Sequence, residues 1–322
     1  MQNLFPELRC FAEHQLAVSD GHTLHLTESG NLDGIPVVII HGGPGGGQLS
    51  DYRRFFDPEH FRIIQWDQRG CGQSTPHCGL ENNTTQHQLD DMEAIRKHLG
   101  VDKWMLFGGS WGSTLALLYG QSYPEQTLGF ILRGVFLARE QDMNWLYEDG
   151  ANRIFPDHWQ KFIEPVGGRT GFNLVDGYYE LLTGNNELKA MQAAKAWAAW
   201  EGLCATLKPS PKTIAGMMDP KVALPLATIS AHYMHNRCFI EENAVLDNIE
   251  KIAHLPAIIV HGRYDMICTL ENAQVLFDLW PEAELDVVRE AGHSTFELGI
   301  IDALLKAVRT MARKLGKEDH HA

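Results

Sequence analysis

Apolar residues fall in two patterns along this chain. Pro36-Val37-Val38-Ile39-Ile40 is a short, continuous, largely β-branched run, which predicts a parallel strand buried on both faces. Similar apolar runs over 61–66, 104–107, 128–132, 256–260 and 284–288 predict further strands. Ahead of them, 10–19 and 22–29 alternate apolar and polar around Ser19-Asp20-Gly21, which predicts an antiparallel hairpin at a sheet edge. The second pattern has helical spacing. Leu89, Met92, Ile95 and Leu99 share one face, Thr85 and Gln88 fit a capping box ahead of them, and Gly100 ends the segment. A helix also follows the 104–107 strand over 113–123, and another is expected at 300–315.

Between 139 and about 245 the strand runs disappear. The segment is rich in Trp, Tyr and Ala at helical spacing, and 187–200 consists almost wholly of good helix formers. Four prolines in 208–225 predict helix ends and turns. The strand signal then returns. This order predicts an α/β fold, a mostly parallel, doubly wound sheet with an inserted helical cap. The expected division is a core of 1–138 and 246–322 with a cap of 139–245. The polar tail 317–322 is expected to lack fixed structure.

With 322 residues, 44% of them apolar, the chain is long enough for one large core plus an insertion. Its formal net charge of -14 argues against nucleic acid as a partner, since phosphates would repel it. The six cysteines are scattered without a Cys-x-x-Cys pair, so a reducing, cytoplasmic compartment is expected. The first ten residues have no basic stretch followed by an apolar core, and no apolar run reaches 18 residues. Neither a cleaved leader nor a membrane span is expected. Nothing here fixes an oligomeric state.

Candidate chemistry centres on Gly108-Gly109-Ser110-Trp111-Gly112, set between a predicted strand and a predicted helix. That context makes Gly-x-Ser-x-Gly a nucleophile elbow of the α/β-hydrolase type. The serine should sit on a sharp, strained turn with its hydroxyl clear of the backbone. Glycines at minus two and plus two avoid collisions with the neighbouring strand and helix. The helix aims free N–H groups and its positive dipole end at the reacting centre.

A nucleophilic serine needs a base, and the base needs an orienting acid. In an elbow of this type the chain order is Ser, acid, His, with each on a loop after a strand. Asp265 follows the 256–260 strand and His293 follows the 284–288 strand, so these two complete the expected catalytic set with Ser110. Asp67 precedes Ser110 and sits in a tight turn, which makes it structural. His41-Gly42-Gly43-Pro44-Gly45 lets backbone N–H groups come close to a developing oxyanion. The expected donors are the N–H groups of Gly43 and Trp111. Position 48 is Gln and no Gly-Lys-Ser/Thr follows, so phosphate-binding readings of this loop fail. His232-x-x-His235 lacks an evident acidic third ligand, so no metal and no cofactor is expected. Cys268 should lie near the site as a packed thiol.

Trp197, Trp200 and Glu201 share a helix face. Two readings are open: core tryptophans with a solvated glutamate at the edge, or an apolar wall with one carboxylate over the serine.

The chain resembles the proline iminopeptidases (prolyl aminopeptidases), an α/β-hydrolase family that removes N-terminal proline from peptides. The resemblance rests on the elbow, His41-Gly42-Gly43-Pro44-Gly45, Trp66-Asp67-Gln68-Arg69-Gly70, Leu132-Arg133-Gly134, Trp197-x-x-Trp200-Glu201, His261-Gly262-Arg263-Tyr264-Asp265 and Gly292-His293-Ser294. It implies that Ser110, Asp265 and His293 are the triad, that Glu201 binds the free amine, and that Phe136 lines the proline pocket. The family often has a second cap glutamate in Ile-Glu-Asn-His-Tyr. Here the stretch is Ile229-Ser230-Ala231-His232-Tyr233, which leaves Ser230 as a shorter polar group in the substrate site beside Trp197. Leu146 stands where the family often has an aromatic residue.

The activity expected is that of a serine exopeptidase on small peptides or amides with a free N-terminal proline, acting through an acyl-enzyme. One alternative is an esterase or amidase for other small acyl groups on the same scaffold. Another is a catalytically silent hydrolase fold used for binding.

Overall fold

In the computed structural model, which describes residues 3–316, Val37 and Ile39 pack into one hydrophobic cluster while Val38 and Ile40 pack into another. Alternate side chains of one strand point to opposite faces, so this strand lies between two buried layers.

The elements follow in order. β1 (Cys10–Ala17) and β2 (Thr23–Gly30) form the antiparallel hairpin. Then come β3 (Ile35–Ile40), β4 (Phe61–Trp66), α1 (Thr85–His98), β5 (Trp104–Ser110), α2 (Trp111–Ser122) and β6 (Thr127–Val135). Eight helices follow: α3 (Glu140–Tyr147), α4 (Ala151–Ile154), α5 (Pro156–Ile163), α6 (Phe172–Thr183), α7 (Glu187–Cys204), α8 (Pro211–Met217), α9 (Pro220–His235) and α10 (Ala244–Asp247). The chain ends with β7 (Ala257–Gly262), α11 (Leu270–Asp278), β8 (Ala283–Val288) and α12 (Leu298–Lys314). The tail 317–322 and residues 1–2 lie outside the described residues.

The eight described strands form one sheet in the order β1-β2-β4-β3-β5-β6-β7-β8. From β4 to β8 all neighbours are parallel, so β3, β5, β6, β7 and β8 all end at the same edge. Functional loops of open parallel sheets collect at that carboxyl edge. α12 covers one face through Ile300, Leu304, Val308 and Met311, spaced as one helical stripe. α1 and α2 lie in the cluster on the other face, which continues into the helices between β6 and β7. There an aromatic stack holds α5, α6 and α7 together. Phe162 lies against Trp200 at 5.2 Å and Tyr178 at 5.1 Å.

Two local expectations are corrected. The cap of α1 is Thr84, not Thr85: the Thr84 side chain accepts from the His87 N–H. Thr85 instead donates to the Cys238 carbonyl, and Gln88 donates to Asn83 and Tyr233. Pro225 marks no turn, because α9 runs through it. Pro211 and Pro220 do open helices, where a missing N–H costs nothing.

Backbone contact is very close beneath the α2 N-terminus. A Cβ on Gly112 would lie 2.1 Å from the Ile40 carbonyl oxygen, whereas one on Gly216 in α8 would meet nothing within 4 Å. Gly112→Ala should therefore lower unfolding free energy by about 3 kcal/mol or more. Gly216→Ala should raise it by roughly 0.5–1 kcal/mol. Urea denaturation of the two variants checks both signs.

Candidate active site

Ser110 is the last residue of β5 and caps α2 with φ 57° and ψ -129°. This is a conformation that L residues avoid. The flanking glycines make it possible, since a Cβ on Gly108 would lie 2.2 Å from the Gly112 carbonyl oxygen. The Ser113 hydroxyl holds the turn, donating to the Ser110 carbonyl at 2.6 Å and accepting from the Phe136 N–H at 3.1 Å. Trp111 begins α2, so its N–H has no partner inside the helix.

Asp265 and His293 come from the loops after β7 and β8. His293 Nδ1 donates to Asp265 Oδ2 at 2.7 Å. The other carboxylate oxygen accepts from the N–H groups of Ile267 and Cys268, at 3.0 and 2.8 Å. Burial alone would raise the Asp265 pKa. The charge and hydrogen bond of His293, helped by His261 and the Cys268 N–H, hold it below the usual value. His261, fully buried 3.5 Å from the same carboxylate, accepts from the Val135 N–H and donates to the Cys268 carbonyl. Burial pushes its own pKa down. Arg133 donates to the His293 carbonyl at 2.7 Å. Ser110 and His293 face one cavity, and no hydrogen bond joins their side chains among the described residues. Such looseness is usual in sites without substrate. The Cys268 thiol lies buried beside the Ser110 hydroxyl, and burial raises its pKa, which makes it a poor nucleophile.

The glycine loop leaves the end of β3. A Cβ on Gly42 would touch the Ser110 side chain at 3.3 Å, and Gly43 has φ 116°. Gln68 ties this loop to the elbow. Its amide donates to the His41 carbonyl at 2.8 Å and accepts from the Trp111 indole N–H at 3.0 Å. Its backbone N–H donates to His41 Nε2, which leaves Nδ1 of His41 to donate to the Gly42 carbonyl. Gln68 therefore touches both the loop that carries Gly43 and the residue that begins α2. Sequence reasoning quoted its motif without giving it a role. The available signal was a polar residue just past a buried strand end. Asp67 serves the loops: it accepts from the N–H groups of Gln48 and Gln73.

Ser110, His293, Gly43, Phe136 and Glu201 all line one cavity of about 690 Å³. Glu201 is 9% exposed, which removes the reading of it as a solvated edge residue. Trp197, fully buried, donates to Glu201 Oε1 at 2.6 Å and packs against Tyr147 with ring centres 4.9 Å apart. Trp197 thus orients the carboxylate and does not itself line the cavity. Burial, opposed by that bond, pushes the Glu201 pKa up to about 7. Ser230 is the correction. It is fully buried away from the cavity and donates to the Pro44 carbonyl at 2.9 Å, so it holds the glycine loop. The cavity also contains Leu146 and Asp142, the latter paired with Arg139 at 3.0 Å. No group of three His, Cys, Asp or Glu among the described residues is arranged to hold a metal ion. His232 Nε2 donates to the Asn83 carbonyl at 3.0 Å, and His235 pairs with Asp176.

The raised Glu201 pKa carries a stability consequence. An unfolded glutamate ionises near 4.3, whereas the folded one keeps its proton until about pH 7. Its contribution is complete below the unfolded value and is lost as pH rises through the folded one. Glu201→Gln should therefore gain stability relative to the parent as pH rises from about 5 to 8. Urea midpoints of both proteins across that range test the sign. A constant difference would contradict it.

Comparison with known proteins agrees with this geometry. Residues 35–300 match the family described as alpha/beta hydrolase fold. A probable proline iminopeptidase of Leptolyngbya boryana is 45% identical over 316 residues, covering 98% of each chain. The proline iminopeptidase of Arabidopsis thaliana is 44% identical, covering 98% of this chain and 83% of the relative. Among solved structures, a bromoperoxidase from Bacillus anthracis superposes with a TM-score of 0.68 over 94% of this chain and all of the other, at 15% identity. That similarity speaks for the fold alone. With the Leptolyngbya relative matched over 98% of both chains at 45% identity, this chain belongs to the proline iminopeptidase family of α/β-hydrolases.

Proposed function

We propose that the protein is a serine exopeptidase that releases N-terminal proline from small peptides. The observation that carries this reading is a buried carboxylate, Glu201, in the same cavity as Ser110 and the Asp265–His293 pair. A carboxylate with a single N–H partner among the described residues, from Trp197, in an apolar cavity favours a cationic ligand group, such as the secondary ammonium of an N-terminal proline. Phe136, Leu146 and Tyr147 supply apolar surface for the ring.

In the proposed reaction His293 accepts the Ser110 proton as Oγ attacks the prolyl carbonyl carbon. Asp265 keeps the imidazole in the Nδ1–H tautomer and stabilises the imidazolium. The N–H groups of Gly43 and Trp111 stabilise the oxyanion, and Gln68 fixes the spacing between them. The C–N bond then breaks, His293 gives its proton to the leaving amine, and water hydrolyses the prolyl ester by the same steps. Helices α3 to α9, between β6 and β7, act as the cap, within the bounds 139–245, and limit access to short or unfolded chain ends. A cytoplasmic location fits the six free thiols. No helix among the described residues is long and apolar enough to cross a membrane.

Ser110→Ala and His293→Ala should each abolish nearly all proline-amide hydrolysis. The double variant should be no slower than about either single one, because the pair acts as a unit. Steady-state rates of the three variants test this, and additive losses would dissolve the triad.

Glu201→Gln should lower kcat/KM for proline amides by roughly ten- to a hundredfold and spare small neutral esters. Two groups must lose protons for an amine substrate, His293 and Glu201, but only one for a neutral ester. On the acid limb, log(kcat/KM) against pH should rise with a slope of about two for proline amides and about one for esters. In Glu201→Gln both substrates should show the shallower slope. Equal slopes in the parent, or equal slowing of both substrates by the substitution, would remove Glu201 from amine recognition.

A further inference from the structure

The catalytic cavity has two ends of different character. Its deep wall is buried: Phe136, Met143, Leu146, Tyr147 and Glu201 are each at most 9% exposed. Its rim is not. Eleven large hydrophobic side chains are exposed among the described residues, and three of them line this one cavity: Leu49 at 50%, Val222 at 39% and Phe296 at 37%. Scattered apolar exposure is ordinary, but a cluster at a cavity mouth marks a contact surface.

The rim is also anchored. Tyr52, which lines the cavity as well, meets Phe296 edge to face with ring centres 5.4 Å apart. Its hydroxyl hydrogen-bonds the Thr295 hydroxyl at 3.0 Å, and its ring lies against the core residues Phe55 and Phe107. Leu49 precedes Tyr52 by one turn, with its carbonyl accepting from the Tyr52 N–H. The patch therefore joins the glycine loop to the loop that carries His293.

The position of His293 decides which part of a substrate meets this patch. The prolyl group, held by Glu201, occupies the buried end. The leaving nitrogen must lie at His293, which protonates it, and the chain beyond it must run outward. The side chain of the next residue then reaches Phe296, three residues past His293, together with Tyr52 and Leu49. The two carboxylates of the cavity, Asp142 and Glu201, are buried, whereas the exposed charged side chain at its edge is Lys212. Among the described residues that line the cavity, no exposed carboxylate meets a basic residue after proline, and Lys212 would repel one.

We propose that Leu49, Tyr52 and Phe296 form a subsite for a large apolar residue immediately after the N-terminal proline, which makes Pro-aromatic and Pro-aliphatic peptide ends the preferred substrates. This rests on the exopeptidase reading above. The experiment is a set of kcat/KM values for Pro-Phe-NH2, Pro-Gly-NH2 and Pro-Lys-NH2 with the parent and with Leu49→Ser/Phe296→Ser. Burying part of a phenyl ring should favour Pro-Phe-NH2 over Pro-Gly-NH2 by about tenfold in the parent, with Pro-Lys-NH2 no better than Pro-Gly-NH2. The double substitution lies on exposed side chains and should bring the Phe-to-Gly ratio to within about threefold of one. A parent ratio near one, or a ratio unchanged by the double substitution, overturns the subsite while proline release stands. If no proline amide is cleaved but small esters are, the exopeptidase reading falls instead.

Discussion

The site depends on how closely the backbone packs beneath Ser110. The α2 N-terminus approaches the end of β3 until a single added carbon on Gly112 would sit 2.1 Å from the Ile40 carbonyl oxygen. That approach forces the chain to reverse within one residue, and Ser110 takes the strain at φ 57°. Unfavourable dihedrals persist only where the surroundings over-determine them. Here the surroundings are β3 and β6 on either side of β5, and the Ser113 hydroxyl, which links the elbow to Phe136. The sheet thus works as a clamp, with its stability spent on one half-buried hydroxyl.

A second constraint links the elbow to the loops around it. Gln68 bonds His41 and Trp111, and Ser230 reaches from α9 to Pro44. All of these groups are buried, so each unmade bond would cost the desolvation of a polar group. The glycine loop is consequently positioned by polar contacts from two directions, although its own residues offer almost no side chains to pack. Flexible composition and fixed geometry coexist because the neighbours carry the constraint.

This explains which features were legible in the sequence. Strands were, because Val37 to Ile40 must alternate between two buried layers and only β-branched runs do so well. The elbow was, because close backbone approach admits only glycine at 108 and 112. The Asp265–His293 contact followed from chain order and the shared carboxyl edge of parallel strands. What escaped depended on tertiary partners. Thr84 and Thr85 are alike in the sequence, and the Cys238 carbonyl, more than 150 residues away, is what occupies the second of them. Pro225 resembles a helix end locally, yet α9 continues because its turn lies against the glycine loop, with Gly45 directly on the Pro225 carbonyl. Ser230 looks like a shortened substrate ligand by position, but only the fold shows that its hydroxyl faces Pro44.

Glu201 is the place where stability and recognition oppose each other. Its one hydrogen bond among the described residues, from Trp197, does not offset burial, as the pKa raised to about 7 shows. A pairing lysine or arginine would relieve that penalty, but it would also neutralise the carboxylate and fill the space beside it. Trp197 orients the group without supplying charge, and the stack of Tyr147, Phe162 and Tyr178 around Trp197 keeps the indole from swinging away. The carboxylate is therefore held in place and left electrostatically incomplete. In the proposed reaction a substrate ammonium would complete it, and part of the burial penalty would return as preference for a free amine. A neutral acyl chain recovers none of it, and that difference is how a scaffold shared with esterases can favour a peptide's amino terminus.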